Sequence, residues 1–393
     1  MRIGIITGEF PPMQGGVGDY SLELAHEMAK LRHQVFVLTN VQARQDTAFP
    51  GITVQPTVEQ WGRWGQSKAP RGILQAVDWV KANQLDVVDI QYQAAAYNMH
   101  AAANDLPRRL ANLAPVVTTF HDLLVPYLFP KAGPLRKRAI YQMAQNSTGV
   151  IVTNRQDEAE LQEIGSMPPI ARIPIGSNIA VNPPENYDRK AWRAQKGFAP
   201  NAFLVGFFGF INRSKGIDTL AQAVRILTET YEKNVHLLFI GGQTGSSDET
   251  NVQQADIAQE LIGGLGIAKR VHWTGFVDAE LVSANLMACD VVVLPFKDGV
   301  SLRRGTLMAT LAHGCPIVTT FPTQPDPDLV DGFAMRMVPP DDPYRLAEVL
   351  YELATDYDQR AQLGQNAGVL ADQFTWDTIA ALTVQFFEYL MSS

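Results

Sequence analysis

Residues 291–320, VVVLPFKDGVSLRRGTLMATLAHGCPIVTT, decide the fold. They divide into an unbroken apolar run (VVVLPF), a polar loop with a glycine and two arginines (KDGVSLRRG), a segment of helical period (TLMATLAHG) and a second apolar run (PIVTT). Short Val/Ile runs are how strands buried on both faces read, and a helix between two of them is the unit of a doubly wound parallel sheet. The loop empties into a helix start, where free amides and the positive end of the dipole face whatever sits there. With Arg303 and Arg304 alongside, it reads as an anion cradle.

The same alternation extends in both directions. Strand-length apolar runs fall at 3–7, 35–39, 87–91, 116–120 and 149–153, then at 204–209, 236–240, 271–274, 316–320 and 334–338. Residues 17–31 read as a helix with one apolar stripe, Val17, Tyr20, Leu24, Met28 and Leu31. The alternation breaks at 174–200, PIGSNIAVNPPENYDRKAWRAQKGFAP, whose prolines and mixed charges mark a linker. An amphipathic helix over 375–390 follows the second set of strands. The expected fold is α/β, with two Rossmann-like doubly wound parallel-sheet domains over 1–180 and 181–372 and a separate terminal helix over 373–393.

A chain of 393 residues exceeds one ordinary core, and 46% hydrophobic against 18% charged residues provides for two sizeable ones. A net charge of -8 argues against nucleic acid as the main partner. Cys289 and Cys315 lie in expected core segments and offer no disulfide framework, which fits a reducing cytoplasm. The chain opens on a strand, MRIGIIT, which leaves no room for a leader, and no apolar run approaches the roughly 20 residues of a membrane span. The basic clusters PRRL (Arg108, Arg109) and PLRKR (Arg136, Lys137, Arg138) allow peripheral contact with the inner membrane surface or a phosphorylated acceptor; a solvated face would read the same way.

Several loops sit at the carboxyl ends of expected strands, where open α/β sheets bind ligands. After the first strand, GEFPPMQGGVGDY places Gly15, Gly16 and Gly18 before a helix, in a spacing that is not a dinucleotide fingerprint. VVTTFHD ends in His121 and Asp122, and a histidine there can donate to a hydroxyl or carbonyl. In VGFFGFINRSKGIDTL, Arg213 and Lys215 form a basic turn suited to phosphate oxygens, Arg as a fork and Lys as a point charge. The turn at Gly241 and Gly242 and the HWTGFVD loop, with Gly275, Phe276 and Val277, complete the set; the second loop would admit a flat base. Each loop alone also reads as a plain turn. No cluster has metal-ligand spacing, and the DPD of 326–328 reads as a turn.

In order, these motifs resemble the retaining glycosyltransferases of family 4. The resemblance runs through EFPPMQGGVGDYSLELAHEMAKLRHQVFVLT, TTFHD, GFINRSKGIDTL, the GG turn, VHWTGFVD, ACDVVVLPF, AHGCPIVTT and FTWDTIA, essentially the whole chain. It implies the GT-B architecture, two Rossmann-like domains facing across a cleft. The acceptor is then held on the N-terminal side, the nucleotide-sugar donor mainly by the C-terminal domain, and the last helix crosses back. It also implies metal-independent transfer to a hydroxyl acceptor, unidentified here, with cations stabilising the leaving diphosphate and no cofactor beyond the donor co-substrate. Lys215 matches the family's phosphate-binding lysine, Gly16 its glycine loop and His121 the histidine that touches the donor sugar. The expected catalytic set is His121, Lys215 and Arg304, and the expected donor-binding set is Gly15, Gly16, Arg213, Gly242, Phe276, Val277, Asp298, Ser301, Leu302, Arg303, Gly305 and Thr306.

Two departures from the family stand out. Phe210 occupies the place of an arginine, for which Arg213 and Arg304 are the available replacements. Ser301 and Ala309 occupy the places of two glutamates eight apart, leaving Asp298 as the nearest acid. Loss of both carboxylates favours a second reading, a non-catalytic binding or scaffolding subunit. An epimerase or phosphorylase on the same architecture is a third.

Overall fold

The strands pair into two separate all-parallel sheets in the computed structural model, which describes residues 1–13, 15–45, 48–62, 72–123, 133–241 and 249–392. The first contains β1 (Arg2–Thr7), β2 (Gln34–Asn40), β3 (Ile52–Val58), β4 (Val87–Tyr92), β5 (Val116–Phe120), β6 (Gly149–Val152) and β7 (Ile170–Arg172), ordered β3-β2-β1-β4-β5-β6-β7. Its helices are α1 (Gly16–Lys30), α2 (Gly72–Asn83), α3 (Leu106–Leu110), α4 (Gly133–Gln145) and α5 (Arg155–Ile164). The second contains β8 (Phe203–Phe208), β9 (Val235–Ile240), β10 (Val271–Trp273), β11 (Val291–Leu294), β12 (Ile317–Thr320) and β13 (Arg336–Val338), ordered β10-β9-β8-β11-β12-β13. Around it run α6 (Arg189–Gln195), α7 (Ile217–Glu229), α8 (Glu249–Gly264), α9 (Ala279–Ala288), α10 (Gly305–Ala312), α11 (Pro343–Thr355) and α12 (Tyr357–Ala371), and α13 (Trp376–Ser392) follows. Both are doubly wound Rossmann-like sheets, as the strand and helix periods require.

The chain divides into two compact units. One is Met1–Gly176 with Thr375–Ser393, and the other is Ser177–Phe374. In the first, residues of alternating parity on each strand feed two cores. Ile6, Val88, Ile90 and Phe120 pack on one face of the sheet, while Ile3, Ile5, Val87 and Val117 meet Tyr20, Leu24 and Met28 of α1 and Ile379, Val384 and Phe387 of α13 on the other. Gly149 lets α13 lie close, because a Cβ there would stand 2.4 Å from the Leu390 side chain. The expected stripe of α1 holds except at its end, where Leu31 is the C-cap and 46% exposed.

Two edge strands, β3 and β7, escape a search for apolar runs. β3 carries Pro56 and alternates buried with exposed residues, and β7 is three half-buried residues. Edge strands need neither continuous apolarity nor a full set of amide donors. The proline-rich segment 174–200 is more than a linker, since it contains α6. Asp290 binds that helix to the second sheet. Its carboxylate accepts from Arg189 Nη2 at 2.6 Å, Arg193 Nη1 at 2.9 Å and the Leu204 amide at 2.7 Å. Arg193 is buried, 7% exposed, and also donates to the Ala202 carbonyl.

Candidate functional site

The strand order of the second sheet reverses between β8 and β11, and loops leaving the carboxyl ends at such a point converge on a ligand crevice. After β8 the chain makes a 3-10 turn, Arg213–Lys215, capped by Asn212, whose Oδ1 accepts from the Ser214 amide at 3.1 Å. The Lys297 amide, just after β11, donates to the Ser214 carbonyl at 2.9 Å. Gly216 sits at φ +64 with its α-carbon so close to β11 that a Cβ would stand 2.0 Å from the Pro295 carbonyl oxygen. Only glycine meets both demands.

This stitching brings Lys215 and Arg304 to one aromatic ring. Lys215 Nζ lies 4.8 Å and Arg304 Cζ 4.4 Å from the centre of the Phe296 ring, which is fully buried. The ring's negative face offsets part of the cost of holding two cations together. Arg304 Nη2 also meets Asp298 Oδ1 at 2.6 Å. Burial, and after it the Arg304 charge, push the Lys215 ammonium down to about 8, while Asp298 pulls the other way. A desolvated cation beside a second one is poised to gain from an incoming anion.

Arg304 is the N-cap of α10 and caps it with no side-chain bond. The Leu307 and Met308 amides go back to the Arg304 carbonyl at 2.9 and 3.0 Å, whereas the Gly305 and Thr306 amides have no backbone partner among the described residues. Thr306 Oγ1 is buried without a hydrogen-bond partner. Gly209, at φ +122, lets this corner form, since a Cβ would stand 2.8 Å from Thr306 Cγ2. The result is a corner of two cations, one unpaired hydroxyl and a helix start, groups whose chemistry suits an anion.

The remaining expected residues spread around it. Ser301 and Arg303 are half-buried, Arg213 is exposed, and Gly305 opens on empty space. Leu302 is buried at 6% exposure, so its backbone is what it can offer a ligand. Phe276 is 75% exposed beyond β10, next to half-buried Val277 and to Gly275, which bridges to Gly241. Gly242 lies outside the described residues. Ala309 is fully buried in α10 and presents no polar group. Lys297, adjacent in sequence, is occupied by Asp218 and Asp341, each at 2.8 Å.

In the first unit the glycine loop leads into α1 with Gly15 at the N-cap, and a Cβ on Gly16 would meet nothing within 4 Å. Two amides of the first turn of α1 are already taken, however. Glu9 Oε1 accepts from Val17 N at 3.0 Å and Gly18 N at 3.2 Å, and burial raises the Glu9 pKa against those two bonds. Sequence reading missed Glu9 because it stands beyond a Pro-Pro bend from the helix it caps.

His121 directly follows β5, with its ring edge-on to Tyr20, centroids 4.7 Å apart. Burial pushes its imidazole down to about 4, so it is neutral at ordinary pH. Its Nε2 lies 2.8 Å from Gln91 Oε1, Gln91 Nε2 donates to Asp89 Oδ2 at 2.6 Å, and Thr119 Oγ1 donates to Asp89 Oδ1 at 2.8 Å. Asp89 is fully buried, and burial pushes its carboxyl up to about 7 against the two hydrogen bonds. Neither Asp89 nor Gln91 was picked out from the apolar run VVDIQY; two polar residues two apart in a buried strand were the signal.

Among the basic clusters, Arg108 and Arg109 both bind Asp105, at 2.6 and 2.7 Å, and Lys137 lies 3.3 Å from Glu160. Arg136 is half-buried and Arg138 exposed. Less free charge faces outward than the sequence counts. Among the described residues no helix is long and apolar enough to cross a membrane, and no group of three or more His, Cys, Asp or Glu is placed to hold a metal ion.

Comparison with known proteins fits this geometry. Residues 15–176 match a glycosyl transferase 4-like domain, and residues 202–356 match the glycosyl transferases group 1 domain. The chain is 27% identical over 264 residues to a D-inositol 3-phosphate glycosyltransferase of Corynebacterium urealyticum, a match covering 65% of this chain and 60% of that one, less than two thirds of the relative's length. To the enzyme of the same name from Streptomyces avermitilis it is 24% identical over 423 residues, covering 96% of this chain and 84% of the other. The crystal structure of Anabaena Alr3699/HepE in complex with UDP superposes with a TM-score of 0.76 at 20% identity, over 100% of both chains, and so shares the fold. Two matched domains in sequence, on two doubly wound sheets of this kind, place the chain among the family 4 glycosyltransferases.

Proposed function

We propose that the protein transfers a sugar from a nucleotide-diphosphate donor to a hydroxyl acceptor with retention of anomeric configuration and without a metal ion. The observation that carries this is the pairing of Lys215 and Arg304 over Phe296 beside the start of α10. Together they offer two positive charges, a hydroxyl and amides where a departing diphosphate needs them. A bound UDP in a solved structure of the same fold supports the diphosphate as the anion. The bond from the anomeric carbon to the leaving oxygen breaks as the acceptor oxygen attacks from the same face. The leaving phosphate oxygen takes the acceptor's proton, so no enzyme nucleophile is needed. Lys215 and Arg304 neutralise the charge that develops on the diphosphate, and neutral His121 reads a sugar hydroxyl. Asp298 holds Arg304 in place, while Ser301 in the same loop and Ala309 in α10 supply no carboxylate.

The test is turnover of UDP-, GDP- and ADP-sugars with an acceptor panel, with and without EDTA, and the anomeric configuration of the product read by NMR. Retained configuration and EDTA-resistant turnover are expected. An inverted product or EDTA-sensitive turnover overturns the corresponding part of the reading. Thermal stabilisation by a donor without turnover would support a binding subunit instead.

A further inference from the structure

The row of polar side chains behind His121 has no place in the chemistry above. Asp89 and Gln91 are two apart on β4, and Thr119 and His121 are two apart at the end of β5, so all four point to the same face of the sheet. The register, with Gln91 opposite Thr119, puts the two pairs side by side. The outcome is a chain of hydrogen bonds running from Thr119 through Asp89 and Gln91 to the imidazole.

Each link dictates the next. An ionised carboxylate has no proton to give, so Gln91 must turn its NH2 toward Asp89 and its carbonyl oxygen toward His121. That oxygen can only accept, so the imidazole proton sits on Nε2. His121 Nδ1, without a hydrogen bond among the described residues, is then a lone pair that accepts from a ligand hydroxyl. Placing one proton on Asp89 Oδ2 reverses the chain. The acid now donates to Gln91 Oε1, the amide rotates by half a turn, and its NH2 donates to His121 Nε2. The imidazole proton moves to Nδ1, which becomes a donor. The net uptake is one proton, held by Asp89, and His121 stays neutral throughout.

We propose that Asp89 and Gln91 form a proton-operated relay that sets the tautomer of His121, and with it whether the free nitrogen accepts from or donates to a ligand. Both are positioning residues, acting through His121. The groups facing Asp89 from the packed elements leave it free to titrate alone. Ile5 of β1 and Val117 of β5 flank it in the sheet, Thr119 is neutral, and Tyr20 of α1 and Tyr97 after β4 have phenols that burial pushes well above their ordinary value. From α13, Trp376 reaches Tyr20, edge-on at 5.1 Å, and the Asp377 charge is felt at Lys30 rather than here. The carboxyl, raised by burial to about 7, changes state in the neutral range.

The consequence for substrate rests on His121 facing the donor sugar, but the tautomer itself does not. The test is therefore ring 15N NMR of the unliganded, histidine-labelled protein below and above about 7, the His121 signals being assigned among the seven histidines by their loss in His121→Gln. The Nε2–H form is expected above that pH and the Nδ1–H form below it. Asp89→Asn, which mimics the protonated acid, should hold the Nδ1–H form at both pH values, and Gln91→Leu should abolish the dependence on pH. A wild-type tautomer that does not change across the range, or one that still switches in Asp89→Asn, overturns the relay. The wild-type titration suffices if a variant does not fold. Absence of sugar transfer with the switch intact would count against the transferase reading alone. A switch that leaves the pH profile of donor kcat/KM unmoved between wild type and Gln91→Leu would remove His121 from the sugar and leave the relay standing.

Discussion

Raising the pH should weaken donor binding through one residue, Lys215. Its ammonium, ordinarily near 10.5, is brought down to about 8 by burial and by Arg304. An anion that binds the charged form pulls that pKa up again, so binding takes up a proton wherever free Lys215 is neutral. Above about 8 each pH unit should then cost roughly tenfold in affinity for UDP, about 1.4 kcal/mol, until the pKa of the bound state is reached. Stability must move in the opposite direction. The unfolded lysine keeps its proton up to 10.5 while the folded one loses it at about 8, so across that window the unfolded state binds more protons and the free protein gains stability as pH rises. Calorimetric titration with UDP in buffers of different ionisation enthalpy measures both the affinity and the proton uptake. Lys215→Arg, which stays charged, should flatten the affinity profile. A wild-type affinity that is level through this range, or a fall that survives in the arginine variant, would falsify the assignment of the diphosphate contact to Lys215.

Arg304→Ala should weaken UDP binding by about 1.5–3 kcal/mol, the usual size of a charge-assisted bond, without a comparable loss of thermal stability; unchanged titration isotherms would remove Arg304 from the cradle. Gly216→Ala should lower stability by more than about 1 kcal/mol, since a positive φ and a 2.0 Å approach to the Pro295 oxygen both oppose a Cβ, and it should raise the KM for donor by displacing Lys215. A variant with wild-type denaturation midpoint and KM contradicts this. Asp290→Ala leaves the buried Arg193 guanidinium with carbonyls but no carboxylate and should cost the second unit about 3–5 kcal/mol in urea unfolding, with any loss of donor binding following the loss of fold. A cost below about 1 kcal/mol, the size of a surface pair, would mean that α6 is held by other contacts.

What could be read in advance follows from where each residue's environment is decided. Strands such as VVVLPF and VVTTF are apolar on both faces because helices cover both faces, and that requirement is written in consecutive residues. β3, with Pro56 in it, and the short β7 are edges, and an edge imposes no such run. α6 is hidden among prolines because its contribution rests on Arg189 and Arg193 reaching Asp290, about a hundred positions away. Lys215 and Arg304 were expected at one place because both lie in loops that leave the carboxyl ends of strands in one sheet; that the two strands stand at a reversal of order is what the structure adds. Their common seat on Phe296 was not, because nothing in VVVLPF separates a phenylalanine under two cations from an ordinary core residue. Glu9 and Asp89 escaped for the same reason. A carboxylate's partners are set by a bend in the first case and by strand pairing in the second, and neither is local.

The composition of the first unit also constrains how the protein is made. Its core includes Ile379, Val384 and Phe387 of α13, and Gly149 is kept bare so that Leu390 can lie against the sheet. A ribosome delivers Met1–Gly176 first, then all of Ser177–Phe374, and only afterwards these residues. At about 5–20 residues per second the first unit waits on the order of ten seconds or more with one face of its sheet covered by α1 but not by α13. Chaperone demand during synthesis should therefore fall on the part translated first, while the unit translated second completes its fold before it.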